Sequence, residues 1–192
     1  MMTELEKMQA GQWYDANYDE ELLAIRRRAE DLCYDFNHTR PSDPAAQELL
    51  HELLPGAAAD AEVLAPVTVD FGTNVTIGER CHVNHGAYLM DGAPITIGHD
   101  VFIGPNCGMY TAQHPLVAEE RNRGLERALP ITVEDDVWIG GDVTIMPGVT
   151  IGRGSVIGGK SLVTHDIPAG VVAVGVPCKP VRPITDADRI EA

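Results

Sequence analysis

From about residue 61 the chain repeats itself every six residues, and that period constrains the fold more than any other feature. Ile139, Ile145, Ile151, Ile157 and Val163 follow one another at intervals of six, and Val137, Val143, Val149, Ser155 and Ser161 stand two places before them. Glycine follows the large residue at Gly140, Gly152 and Gly158. Upstream the same signature reads Phe71, Ile77, Val83 and Leu89, preceded by Val69, Val75, Cys81 and Ala87. After a two-residue slip between Met90 and Pro94 it resumes at Ile97, Ile103 and Met109. Each hexad is one short strand and one tight turn. It cannot bury its apolar side alone, so successive repeats must stack in coils around a continuous core. The expected fold is therefore mainly β, a parallel β-helix over residues 61–185. The count puts Cys81 and Cys107 at small inward positions, where a buried thiol packs as a small hydrophobe.

The first sixty residues carry a different period. Leu22, Ile25, Ala29, Leu32 and Phe36 recur at steps of three and four, the stripe of an amphipathic helix. A second helix is expected after Ser42 or Asp43 as cap, with Pro44 in its first turn, Leu49, Leu50, Leu53 and Leu54 on its apolar side, and Pro55-Gly56 as its stop. The expected organisation is a helical segment over 1–60, the β-helix over 61–185, and a tail over 186–192.

A chain of 192 residues suits one domain with an extension rather than two full domains. Its 14 basic and 29 acidic residues give a net charge of −15, which argues against nucleic acid or an anionic membrane as partner. No apolar run is long enough to span a membrane, and MMTELEKMQAG lacks the build of a signal peptide, so a cytoplasmic location is expected. Cys33, Cys81, Cys107 and Cys178 lack C-x-x-C spacing, which suits reduced thiols rather than a zinc site.

Two stretches compete as functional signals. GSVIGGKS, residues 154–161, spells G-x-x-x-x-G-K-S, the phosphate loop of nucleotide hydrolases. A phosphate loop needs a following helix, whereas Leu162-Val163-Thr164 continues the hexads, so its glycines read as turns. The second stretch, YTAQHPLVAEERNRGLERALP, separates Met109 from Ile131 with 21 residues of largely polar and charged sequence. Loops that long inside a compact domain are functional or disordered. The hexads return in frame after it, so it is read as an excursion from an intact coil. Of seven histidines, only His114 lies in it.

The hexads, the helical segment ending in Tyr34-Asp35-Phe36-Asn37-His38, the loop with Thr111-Ala112-Gln113-His114-Pro115 and the ending Gly175-Val176-Pro177-Cys178-Lys179 together resemble the maltose and galactoside O-acetyltransferases. The likeness runs from about residue 3 to residue 185. It implies a left-handed β-helix and a homotrimer with acetyl-coenzyme A in crevices between neighbouring prisms. It further implies a sugar acceptor such as maltose, glucose or a galactoside.

Moving acetyl from a thioester to a hydroxyl needs a base, donors for the oxyanion and alignment of both substrates. Histidine suits the base because its pKa lies near neutrality. The resemblance assigns that role to His114 and makes Asn84 its partner in positioning the acceptor and the transition state. It sets Asp70, Asp91, His82 and Asp15 toward the acceptor. Where relatives carry an Asp-Asp pair, this chain has Asp91-Gly92, a departure that bears on acceptor identity. On the coenzyme side it implies Gly141, Gly159, Thr164, His165, Lys179 and Arg182. Gly141 stands in place of a serine, so backbone N–H must serve the oxyanion there. His165 stands where relatives often carry lysine and Lys160 where they tend to have glycine, so Lys160 is read as the displaced charge; the alternative is a surface pair with Asp166. No metal is expected, since the histidine spacing of a γ-carbonic anhydrase site is missing. The alternatives are transfer to an antibiotic or a nucleotide sugar, or a scaffold without catalysis.

Overall fold

The structure, a computed structural model, describes residues 2–190. Three parallel sheets form the faces of a prism. Its first face stacks Val63, Val83, Ile103, Ile139, Ile157 and Ala173 in register. The second stacks Val69, Leu89, Met109, Ile145 and Val163. On the third, Ala57, Ile77, Ile97, Val133, Ile151 and Ile167 follow one another. The chain visits the faces in that order, and nearly all these side chains are buried in one core. Each buried Val, Leu or Ile removes enough apolar surface from water to contribute about 1.5–3 kcal/mol, so the stack as a whole holds strands of two to four residues that could not survive alone.

Tight corners need left-handed backbone. Arg80, Asp100, Asn106, Asp136, Asp142 and Lys160 all have φ between 56° and 62°, and Gly154 has φ 66°. Asp and Asn tolerate that region best among residues with a side chain. GSVIGGKS thus contributes two such corners, at Gly154 and Lys160. Its Ser161 hydroxyl is buried and donates to its own coil, to the Gly158 carbonyl at 2.6 Å. The phosphate-loop geometry does not exist here.

One hexad assignment is corrected. Phe71 was expected to point inward six residues before Ile77, but Val69 takes that place beside Leu89. The corner between the second and third faces holds two extra residues in the early coils, so partners stand 20 apart at Val67 and Ala87 but 18 apart at Thr144 and Leu162. Phe71 therefore leaves the prism and packs in a second, smaller core with Met8, Tyr14, Ala16 and Leu22.

That second core anchors the N-terminal segment. Helix α1 (Glu4–Gln9) opens with a capping box in which Thr3 and Glu6 satisfy each other's backbone N–H. The hexad period gives no hint of it. Helix α2 (Glu20–His38) is capped by Asp19, and α3 (Pro44–Leu53) by Asp43 with Pro44 at its start. Asn37, in the last turn of α2, clamps the first strand of the second face: its amide donates to the Val67 carbonyl at 2.8 Å and its carbonyl accepts from the Val67 N–H at 2.9 Å.

The long loop leaves from the irregular corner and is folded. Strand Ala112–Gln113 pairs antiparallel with Leu125–Ala128, whose other edge pairs with Tyr14–Asp15. Its stem is closed by the Leu129 N–H donating to the Thr111 carbonyl at 2.9 Å. The coil continues from Met109 to Ile131 as expected of an excursion.

Candidate active site

The three-stranded sheet holds His114 directly after its edge strand Ala112–Gln113. The imidazole Nδ1 lies 3.0 Å from the Leu125 carbonyl oxygen. A carbonyl only accepts, so Nδ1 carries the proton and the lone pair sits on Nε2. That nitrogen is 3.6 Å from the Glu126 carboxylate. The ring is about half exposed in a cleft of roughly 570 Å³ lined by Trp13, Gln113, Pro115, Leu116, Glu120 and Leu125. Glu126 is buried, and its other oxygen accepts a hydrogen bond from the fully buried Tyr14 hydroxyl. Burial, then the Glu126 charge, pushes the Tyr14 hydroxyl well above its usual pKa, so it stays a donor. Arg127 leans on the Trp13 ring, 5.3 Å from its centroid.

Asp15 lies in the same antiparallel sheet, opposite Leu125. Its carboxylate accepts from the backbone of Asn17 and Tyr18, so it also caps a turn. Asp70 is half-buried at the irregular corner and accepts from the Tyr88 hydroxyl at 2.9 Å. Arg26 approaches the same corner with its guanidinium 5.5 Å from the Phe71 ring centroid, and its buried Nε has no partner among the described residues.

Asp91 is corrected. The acceptor reading requires an accessible carboxylate, but Asp91 is 0% exposed. Its oxygens accept from the backbone N–H groups of Asp70, Phe71 and Asn74 at 3.1, 2.8 and 3.1 Å. It splices two successive corners together. Burial raises its pKa, against the pull of those N–H groups. Next to it, Gly92 leaves open the space beside the Tyr14 hydroxyl and the Glu126 carboxylate, within 3.5 Å of where a side chain would begin.

Asn84 sits at the opposite edge of the second face from His114. Its side chain accepts from the His85 N–H at 2.8 Å. The strand Ala87–Met90 runs between the two edges, and four residues at about 3.3 Å each span about 13 Å. Asn84 and His114 of one prism therefore do not meet. His82 faces outward on the first face, with Nδ1 2.7 Å from Glu62 and its ring tilted against Phe102.

Gly141, Gly159 and Lys160 share the corner of Asn84. The Lys160 N–H donates to the Gly141 carbonyl, and a Cβ at Gly159 would stand 3.1 Å from that oxygen, so these glycines also let coils approach. The expected alternative for Lys160, a pair with Asp166, does not form: Asp166 accepts from the Thr150 N–H at 2.7 Å. Thr164 and His165 lie on the corner below His114 and bond to each other at 2.9 Å. Lys179 and Arg182 lie on the last strand, Cys178–Pro183. Arg182 forms a two-point ion pair with Asp188, which holds that carboxyl down to about 2.

The four cysteines are buried, and burial raises each thiol pKa. None lies in the cleft with His114. Among the described residues no group of three or more His, Cys, Asp or Glu is arranged to hold a metal ion, and no helix is long and apolar enough to cross a membrane.

Glu126 and Tyr14 were not singled out from sequence. Leu125-Glu126-Arg127-Ala128 reads apolar, charged, charged, apolar, so no alternation in the sequence signalled a strand that buries Glu126.

The site thus combines a prism of stacked hexads, a helical cap and a histidine-bearing hairpin at one corner. Residues 7–57 match the maltose acetyltransferase hexapeptide capping motif, 130–165 the bacterial transferase hexapeptide with six repeats, and 94–111 the hexapeptide repeat of succinyl-transferase. A Staphylococcus aureus (strain MRSA252) protein provisionally named an acetyltransferase is 51% identical over 100% of this chain and 96% of its own. A maltose O-acetyltransferase of Clostridium difficile 630 is 40% identical, covering 96% of this chain and 99% of that one, with a TM-score of 0.92. A galactoside acetyltransferase solved with coenzyme A is 38% identical, covering 98% and 94%, with a TM-score of 0.91. The chain belongs to the maltose and galactoside O-acetyltransferase family of hexapeptide-repeat acetyltransferases.

Proposed function

We propose that the protein transfers acetyl from acetyl-coenzyme A to a hydroxyl of a sugar, with His114 as general base. The observation that carries this reading is the anchoring of Nδ1 on the Leu125 carbonyl, which leaves an unprotonated Nε2 at an open cleft. The acceptor O–H proton passes to Nε2 while the oxygen attacks the thioester carbonyl. The oxyanion collapses, the C–S bond breaks, and the coenzyme thiolate takes the proton back from the imidazolium. Buried thiols leave no cysteine near the cleft for a covalent acetyl-enzyme, which supports direct transfer.

The coenzyme complex of the galactoside relative supports coenzyme A as co-substrate. Gly141, Gly159, Thr164, His165, Lys179 and Arg182, with Lys160 as a supplementary charge, form its site in this reading. The separation of Asn84 from His114 across one face supports a homotrimer whose sites lie between prisms, each completed by two copies. The exposed aromatic pair Phe102 and Trp138, neighbours on the first face, is consistent with such packing.

Thiol release from acetyl-coenzyme A, measured with maltose, glucose, galactosides, nucleotide sugars and antibiotics, tests the reading. A sugar should support turnover, and His114→Ala should lower it about 10²–10⁴-fold. Release with no acceptor in the panel, or an unchanged rate in His114→Ala, overturns it.

A further inference from the structure

The cleft beside His114 continues over the three-stranded sheet, and that continuation is built around one aromatic ring. Tyr14 pairs with Glu126 and Gln113 with Arg127, so Trp13, Arg127 and Gln113 form one row across the sheet. The Arg127 guanidinium lies over the indole, 5.3 Å from the ring centroid. Its Nε is buried without a partner among the described residues, and its Nη2 donates to the Gln113 side-chain oxygen at 3.4 Å. Stacking on the ring therefore holds this arginine, and the arginine in turn holds the ring. Trp13 nevertheless stays 41% exposed and lines the cleft together with His114. The wall formed by Pro115 and Leu116 is fixed as well, because Arg121 donates to their carbonyls at 3.1 and 3.3 Å.

Size and spacing both exceed what a single sugar ring needs. The cleft measures about 570 Å³, inside the range of about 300–1,000 Å³ typical of sites that enclose a whole small molecule. Trp13 and His114 stand on either side of the strand Leu125–Ala128, two strand spacings or about 9.5 Å apart. A ring that presents its hydroxyl to Nε2 thus sets its glycosidic neighbour over the indole. The indole suits the C–H face of a pyranose, and the Gln113 carboxamide and Glu120 carboxylate beside it suit its hydroxyls. Glu120, on a chain of net charge −15, disfavours an anionic occupant.

Resting on the sugar acetyltransferase reading, we propose that Trp13 is the platform of a second sugar subsite, so that the preferred acceptor is a neutral saccharide of at least two rings, one at His114 and the next stacked on the indole. Arg127 is a positioning residue that keeps the indole flat against the cleft. The subsite adds binding and no covalent step.

Its binding half is tested without turnover. Trp13 is one of two tryptophans, so in Trp138→Phe the emission reports Trp13 alone; the difference between the unaltered protein and Trp13→Phe serves if that variant assembles poorly. Titrated without acetyl-coenzyme A, maltose or lactose should change the emission saturably, while glucose and galactose at the same concentrations should not. No saturable change with either disaccharide overturns the proposal, whatever the activity. A change with phenyl galactoside as large as that with lactose also overturns it, since the ring then receives an apolar aglycone rather than a sugar. In thiol-release assays the ratio of kcat/KM for the better disaccharide to that for its monosaccharide should fall about tenfold in Trp13→Ala, chiefly through the disaccharide KM, with Trp13→Phe recovering part. A merely structural role for Trp13 lowers both members of the pair together, and an unchanged ratio overturns the proposal. If no sugar turns over while the emission still responds, it is the acetyl-transfer reading that has failed, and the sugar-binding site stands.

Discussion

Asp91 shows how a residue can look like a ligand and be a splice. Three backbone N–H groups of the preceding corner end on its carboxylate, in a site without water access. Asp91→Ala leaves those donors unpaired, at a cost of about 3 kcal/mol, and should lower the Tm by roughly 5–10 °C in a thermal melt. The acceptor reading would instead predict a raised acceptor KM in a protein of unchanged Tm. The sign of the pH effect follows from burial. Because the folded-state pKa lies above the unfolded one, this group's contribution is fully present below the unfolded pKa and is lost as pH rises through the folded value. Sequence could not separate the two roles, because Asp91 lies in the slip between hexads, where no periodicity says which way a side chain faces. Cys81 and Cys107 were legible for the opposite reason: they sit inside unbroken runs, and both are 2% exposed.

At the level of elements, the period of six located the strands, the stripe from Leu22 to Phe36 located one helix, and the cap at Ser42 or Asp43 with Pro44 located the next. What escaped was everything joined across the chain. Helix α1 is short and carries only the Thr3-x-x-Glu6 signature, and Phe71 obeyed the period by coincidence. Glu126 acquires meaning only through a partner more than a hundred residues earlier. The hairpin between Thr111 and Leu129 is a module in this sense. Its stem is already bridged by a hydrogen bond, and the coil passes from Met109 to Ile131 without it. Replacing residues 112–128 with a short Gly/Ser linker should preserve the β-sheet circular dichroism and a cooperative melt, while abolishing transfer because His114 leaves with it. Loss of the prism's own transition would show that the hairpin is part of the folding core. The Tyr14–Asp15 strand loses its partner in this variant, so a lower Tm is expected.

For the whole molecule, the proposed joint role of Asn84 and His114, which stand at opposite edges of one face, would make assembly part of the chemistry. If each site draws the two residues from different copies, His114→Ala and Asn84→Ala subunits should complement. Mixed after partial unfolding and reassembly, two inactive preparations should regain a fraction of wild-type transfer, since some interfaces then pair an intact His114 with an intact Asn84. No recovery in verified mixed trimers would place both residues in one prism's site. The acidic surface gives the reason to expect local rather than global steering of the coenzyme: with a net charge of −15, only clusters such as Lys179 with Arg182 offer an anion a foothold. Arg182 is held by Asp188 in the tail, so a phosphate must displace a carboxylate to use it.

All departures from the six-residue period, at 70–74, 90–94, 110–130 and the shortened corner at 164–166, stack on a single edge of the prism. Two edges are closed by fixed, left-handed turns, and the third is tolerant of length. A solenoid built this way can gain or exchange residues on that edge while every later strand keeps its partner. The hairpin that carries His114 stands on that edge, so its length and sequence can change while the coils before and after it keep their register.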